Sequence, residues 1–206
     1  MTPAGPGRRA LLRAGSIGAI AGAIASVSSR PGAQHFSGTP VARVLAPRLT
    51  LTDDTGGRFD LARQRGHVVL VYFGYTTCPD VCPTTLAAIA EAMTRLDAGA
   101  RRVRTVFVTL DPGRDTPAML RAYLANFTTA GDVPPIGLTG SSQQIALAAR
   151  DWGVNWQRAD GGVFIDHTSV VTAVASDGTL RLRYGFSQIG DPGSIASDLK
   201  VLLRET

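Results

Sequence analysis

Sixteen residues constrain this chain more than any others: Val68-Val69-Leu70-Val71-Tyr72-Phe73-Gly74-Tyr75-Thr76-Thr77-Cys78-Pro79-Asp80-Val81-Cys82-Pro83. The first six are uncharged, with β-branched and aromatic side chains and no polar alternation, which predicts a strand buried on both faces. A Gly/Thr turn follows, and then two cysteines spaced C-x3-C. Leu86, Ile89, Ala90, Met93 and Leu96 repeat at helical spacing after them. A buried strand therefore hands two thiols to the first turn of a helix. They are the 2 cysteines of the whole chain, so whatever chemistry it performs is expected there.

A length of 206 residues fits one domain with a full core and an appendage. The net charge of +5 suggests nucleic acid, but its excess is local. Residues 1–25 hold Arg8, Arg9 and Arg13 and no acid, and leaving out those three arginines brings +5 down to +2. No basic stripe interleaved with aromatics remains, so nucleic acid is not the expected partner.

Gly7-Arg8-Arg9-Ala10-Leu11-Leu12-Arg13 precedes Ala14–Val27, an uncharged run of Ala, Gly, Ile and Ser with Ala23-Ile24-Ala25 as an A-x-A-like site. Residues 1–27 read as an export signal, and the paired arginines resemble a twin-arginine address. The alternatives are a weak uncleaved membrane anchor, since the run is short of the roughly 20 residues that span a bilayer, or a mitochondrial presequence. Residues 28–47, rich in Ser, Gly and Pro, read as a linker in which His35 is a solvated side chain. Residues 48–206 are the domain.

Within it, Arg48–Thr52 and Phe59–Leu61 flank Asp53-Asp54-Thr55-Gly56-Gly57 as an edge hairpin. His67 opens the central strand and reads as a surface residue. Val103–Leu110 is a second buried strand. Thr116 caps a helix that begins with Pro117 and buries Leu120, Tyr123, Leu124 and Phe127. Pro134–Leu138 is a short third strand. Ser141-Ser142-Gln143-Gln144 forms a capping box for a helix that Gly153 stops. Val154–Phe164 reads as a β-like excursion over one face. Val170–Ala175 and Leu180–Tyr184 form a hairpin around Ser176-Asp177-Gly178-Thr179, and Asp191-Pro192 starts a last helix. Strands alternating with helices, closed by an antiparallel hairpin and a helix, predict a thioredoxin-like (peroxiredoxin-like) α/β sandwich, a central mixed sheet with helices on both faces. No P-loop and no G-x-G-x-x-G turn supports phosphate or dinucleotide chemistry.

A disulfide across C-x3-C would close too small a loop to stabilise much, so an inert staple explains the cysteines poorly. Residues i and i+4 share a helix face, and unpaired N–H groups at a helix start favour a thiolate. Thioredoxin-like reductases use C-x2-C and a cis-proline facing it. Here the matching segment, Phe164-Ile165-Asp166-His167-Thr168-Ser169, holds no proline but offers His167, 85 residues past Cys82. Cys78, Cys82 and His167 would make a Cys2His set suited to copper or zinc, with soft thiolates selecting Cu(I).

Phe73-Gly74-Tyr75-Thr76-x-Cys78-Pro79-Asp80-Val81-Cys82-Pro83-Thr84 resembles the signature of the Sco/SenC family of copper-binding cytochrome oxidase assembly proteins. Asp111-Pro112-x-Arg114-Asp115-Thr116-Pro117, Gly137-Leu138-Thr139-Gly140 and Asp166-His167-Thr168-Ser169 resemble its further motifs, in order. The similarity runs from about Val41 to Arg204. It implies that Cys78, Cys82 and His167 bind one copper ion, as Cu(I) or Cu(II). It further implies work on the binuclear copper site of cytochrome c oxidase subunit II, or on another exported copper or thiol protein, by delivering copper, reducing cysteines, or both. Asp80 is expected as a helix-cap carboxylate, the alternative being that it tunes the site or meets the partner, and Asp111–Pro117 as turn and cap chemistry rather than a site. The expected location is the periplasm or the outer face of the inner membrane, with a membrane tether as one arrangement; the alternative is the mitochondrial inner membrane.

The leading expectation is thus a metallochaperone rather than an enzyme. The competing one is an exported thiol–disulfide oxidoreductase with Cys78 and Cys82 as the redox-active pair, and a third is a redox or copper sensor that docks to a partner.

Overall fold

The computed structural model describes residues 1–3, 35–128, 133–159 and 161–205. The export-signal reading of residues 1–27, from residue 4 onward, lies outside the described residues, as does the linker reading of 28–34. Among the described residues no helix is long and apolar enough to cross a membrane. His35–Thr206 form one unit.

That unit begins with strand β1 (Thr39–Pro40), followed by β2 (Thr50–Asp53), β3 (Arg58–Asp60) and β4 (Val68–Gly74). Helix α1 (Val81–Thr94), β5 (Val103–Thr109), α2 (Pro117–Leu124) and β6 (Ile136–Thr139) come next. After α3 (Ser142–Asp151) come β7 (Trp156–Arg158), β8 (Ile165–His167), β9 (Val170–Val174) and β10 (Leu180–Gly185), then a single-turn α4 (Phe186–Ile189) and α5 (Pro192–Leu202). Eight strands make one sheet in the order β1-β10-β9-β4-β5-β6-β2-β3, and β7 and β8 pair apart from it. The β4–β5 and β5–β6 pairs are parallel and the rest antiparallel. Each parallel pair needs a crossover, which α1 and α2 supply. This is the thioredoxin-like sandwich with a mixed central sheet.

β4 sits in the middle because it is apolar on both sides, and all seven of its residues are buried. Successive side chains face opposite ways. Tyr72 stacks at a tilt on Phe107, which meets Tyr123, while Phe73 on the other side meets Trp152. Local signals set the helix starts. Thr116 Oγ1 accepts from the Met119 N–H with Pro117 in the first turn, and Ser141 with Gln144 closes the capping box. Gly153 at φ 68° and Gly178 at φ 76° occupy left-handed positions that end α3 and turn the β9–β10 hairpin.

Residues 39–47, expected in the linker, join the fold. β1 pairs with β10 at Thr39↔Arg183 and Pro40↔Leu182, and Leu45 bridges Thr179. The buried Asp198 carboxylate accepts from the Ser37 and Gly38 N–H groups at 3.1 and 2.9 Å and from the Tyr184 hydroxyl at 3.1 Å. This Pro/Ser/Gly-rich stretch looks like linker because its partners come more than 130 residues later.

Candidate metal centre

Cys82 lies in the first turn of the helix as expected, whereas Cys78, expected there too, sits in the turn before it, because the helix starts only after Pro79 and Asp80. β4 ends at Gly74, the Cys78 N–H donates to the Tyr75 carbonyl at 3.3 Å, and α1 begins at Val81. Cys78 is half-buried, Cys82 is fully buried, and neither is in a disulfide. The Cys82 N–H, in the first turn of α1, donates to Cys78 Sγ at 3.4 Å. Asp80 occupies the cap position but makes no side-chain cap bond. Its carboxylate accepts from Thr84 Oγ1 at 3.2 Å instead, which corrects its expected role.

β7 and β8 bring His167 to the same place, with Nε2 3.7 Å from Cys82 Sγ. Nδ1 lies 3.2 Å from the Thr168 carbonyl. A carbonyl only accepts, so this contact places the proton on Nδ1 and leaves the Nε2 lone pair toward the sulfur. Metal-binding histidines use the same arrangement, with the distal N–H held by an oxygen. The ring sits between Tyr72, at 6.3 Å, and Tyr75, edge-on at 6.1 Å. Burial lowers the His167 pKa from its ordinary value, outweighing the pull of the Thr168 carbonyl and of Cys78, so the imidazole is neutral at pH 7. Two sulfurs and a neutral imidazole are a donor set for a soft metal ion. Among the described residues, however, no three His, Cys, Asp or Glu side chains are already drawn into a metal-holding group; the Cys82 sulfur is engaged by the Tyr72 hydroxyl at 3.6 Å.

The two thiols differ sharply. A hydrogen bond from the Cys82 side chain, with those from the Cys82 and Asp80 N–H groups, overcomes burial and brings Cys78 down to about 5. The same bond to Cys78, then burial, pushes Cys82 well above the usual thiol range. Cys78 is therefore the thiolate and Cys82 its proton-bearing neighbour. A pulse of iodoacetamide on the reduced, folded protein is expected to label Cys78 at pH 7, with a rate that follows an ionisation near pH 5, and to spare Cys82. Equal labelling of both in a peptide map would refute this asymmetry.

The Asp111–Pro117 segment does more than the turn and cap chemistry expected of it. Asp115 is fully buried and accepts from the Thr76 N–H at 3.1 Å, from Thr76 Oγ1 and from Thr109 Oγ1, so it fixes the loop that leads to Cys78. Asp111, also buried, pairs with Arg114 and Arg158. Burial alone would raise its pKa, but hydrogen bonds from the two arginines outweigh that and hold it below the ordinary carboxylate range. Sequence reasoning missed these two. Their signal was a pair of acids beside a buried strand end, which burial requires to be partnered. His35 is exposed, and His67, half-buried, precedes β4 at the end opposite the thiols.

A cavity of about 400 Å³ opens on Cys78, lined among others by Tyr75, Pro79, Phe164 and His167. A larger one, about 450 Å³ between residues 45–50 and 58–65, touches neither thiol; chemistry, not size, selects the first.

A dithiol and an imidazole at the mouth of a thioredoxin-like sheet define a protein of metal or thiol handling. The SCO1/SenC family profile matches residues 38–204, and the chain belongs to that family. It is 35% identical over 133 residues to a "SCO2-like protein" of Rickettsia felis, covering 62% of this chain and 63% of that protein. The match thus spans less than two thirds of that relative's length. It is 33% identical over 198 residues to "Protein SCO2 homolog, mitochondrial" of Homo sapiens, covering 90% and 73% of the two chains. Among solved structures it resembles Bradyrhizobium japonicum ScoI with copper bound, at 32% identity and TM-score 0.68, covering 78% of this chain and 100% of that one.

Proposed function

We propose that this chain is an exported copper-binding assembly protein that holds one copper ion through Cys78, Cys82 and His167. Its copper is cargo for the binuclear site of cytochrome c oxidase subunit II. The observation that carries the reading is the His167 Nε2 lone pair facing Cys82, beside a Cys78 whose thiol is already ionised at neutral pH. A copper-bound ScoI of the same fold supports it. When bound, copper supplies a soft, redox-active centre. The chain supplies a thiolate without a proton to displace, a neutral ring held in one tautomer, and Tyr72 and Tyr75 as walls on either side of the ring. The proton on Cys82 is the one that leaves to solvent as its sulfur takes the metal. The paired arginines and the A-x-A-like site support export to the periplasm or the outer face of the inner membrane.

The unequal thiols favour a second activity at the same site, reduction of a partner's cysteines. The Cys78 thiolate attacks a partner disulfide and one partner sulfur leaves as a thiolate. Cys82, losing its proton, then attacks Cys78. This forms the Cys78–Cys82 disulfide and releases the second partner thiolate, so two electrons pass to the partner.

The test is an anaerobic Cu(I) titration of the reduced chain against a competing chelator, beside Cys78→Ser, Cys82→Ser and His167→Ala. One copper per chain is expected, lost with either serine and held at least about 10- to 100-fold more weakly with alanine, since losing a ligand costs no less than losing the outer-shell partner that orients one. Absence of tight copper on the unaltered chain would overturn the proposal, and unchanged affinity in His167→Ala would remove that ligand.

A further inference from the structure

His167 sits on a two-stranded hairpin that is not part of the main sheet, so its distance from the thiols is set by whatever fastens that hairpin. The pairing is short: Trp156↔His167, Gln157↔Asp166 and Arg158↔Ile165. A hairpin this small is marginal by itself. Besides the packing of Ile165 and Trp156 against the core, the polar fastening is Asp111, just beyond the end of β5. One carboxylate oxygen accepts from Arg158 Nη2 at 2.5 Å, and the other accepts from Arg114 Nε. The Arg114 guanidinium continues to the Val163 carbonyl at 2.8 Å, in the loop that joins β7 to β8. Arg158 also reaches the Gly162 carbonyl at 3.4 Å. One arm and the loop that joins it to the other are therefore gripped from one buried carboxylate. Four residues further on, Asp115 grips the loop that leads to Cys78. A single segment, 111–115, thus touches both halves of the centre: the thiol side through Thr76, the imidazole side through Arg158 and Val163.

We infer that Arg158 is a positioning residue: its bridge to Asp111 clamps the β7–β8 hairpin and so sets where His167 stands relative to Cys78 and Cys82. The copper arm of this inference rests on the Cys2His reading above, whereas the clamp itself does not. Arg158 does not touch the thiols or the imidazole; it acts through the hairpin. Its side chain is 42% exposed, so replacing it removes the bridge without opening the core. Charge-assisted bonds to a buried carboxylate are among the stronger contacts available, which gives one surface arginine leverage over a ligand two pairs away.

Hydrogen exchange on the metal-free, reduced chain tests the clamp. The reporters are the Ala159 and Thr168 amides, which bond to the Phe164 and Asn155 carbonyls at 2.9 Å each. Arg158→Gln is expected to speed exchange at both by about tenfold while amides of β4 and β5 keep their protection. Arg158→Lys, which keeps the charge and a donor, is expected to recover part of it. In the Cu(I) titration, Arg158→Gln is expected to weaken binding about tenfold in the unaltered chain and not at all in His167→Ala, since the ring it positions is gone. Unchanged exchange at Thr168 would overturn the clamp, and so would an equal loss of copper affinity in both backgrounds. Should His167→Ala alone leave copper affinity unchanged, the Cys2His reading falls, and the exchange arm still decides the clamp.

Discussion

Asp115→Ala is expected to cost the fold about 3 kcal/mol, the loss of hydrogen bonds to a buried carboxyl group together with the stranding of their donors. Three donors point at it, the Thr76 N–H and the hydroxyls of Thr76 and Thr109, in a site with no exposure to solvent. Thr109 Oγ1 in turn accepts from the Asp111 N–H at 2.8 Å, so the loss spreads to the start of the hairpin clamp. Asp115→Asn keeps the shape and one acceptor and is expected to cost roughly half as much. Urea unfolding followed by tryptophan fluorescence reads the difference. The local effect is separable: with Thr76 released, the Cys82 thiol should become open to alkylation before global unfolding. A loss below about 1 kcal/mol, near the typical worth of a single hydrogen bond, would show that the loop is held by other contacts.

Gly74→Ala is the second change expected to act strongly, and here the reason is space rather than backbone strain. A methyl group at Gly74 would lie 2.8 Å from Cys82 Sγ and 2.8 Å from Phe107 Cε2, and both neighbours are fully buried. The sulfur or the ring must move, at a cost of about 1–3 kcal/mol for overpacking. Since Cys82 lies on the first turn of α1, the displaced atom is the proposed ligand itself, and weaker Cu(I) retention should accompany the lower stability. Gly113→Ala is the control. Nothing lies within 4 Å of its added methyl and its φ is not positive, so it should stay within about 0.5 kcal/mol of the unaltered chain. Equal stability of Gly74→Ala and Gly113→Ala would show that α1 can shift freely away from β4.

What could be read from sequence was whatever is carried by neighbours. The unbroken apolar run of β4, Thr116 before Pro117, the Ser141–Gln144 box and the Ser176–Thr179 turn each act within a few residues, and each appears as expected. The two thiols at a helix start belong to the same class. His167 needed the fold as an intermediate: only the placement of a loop beside α1 makes it a neighbour of Cys82. Contacts made at long range left no such trace. Asp111 looks like the first residue of a turn until Arg158, 47 positions later, is placed against it, and Asp115 looks like part of a cap until Thr76, 39 positions earlier, returns to it. β1 looked like linker because its partner strand lies near the other terminus. For Asp80 the local rule favoured a cap, and a hydroxyl one helical turn away took the carboxylate instead.

The grip of Asp198 on Ser37 and Gly38 fixes where these two residues stand against the sheet. Thr39 is level with Arg183, Arg183 with Thr172, and Thr172 with Val71, so the residues just before Thr39 emerge at the height of Tyr72 and Phe73. That is the end of the sheet from which Gly74 leads to the cysteines. Ser37 and Gly38 are thus pinned at the thiol end of the sheet, three strand spacings from β4, roughly 14 Å away.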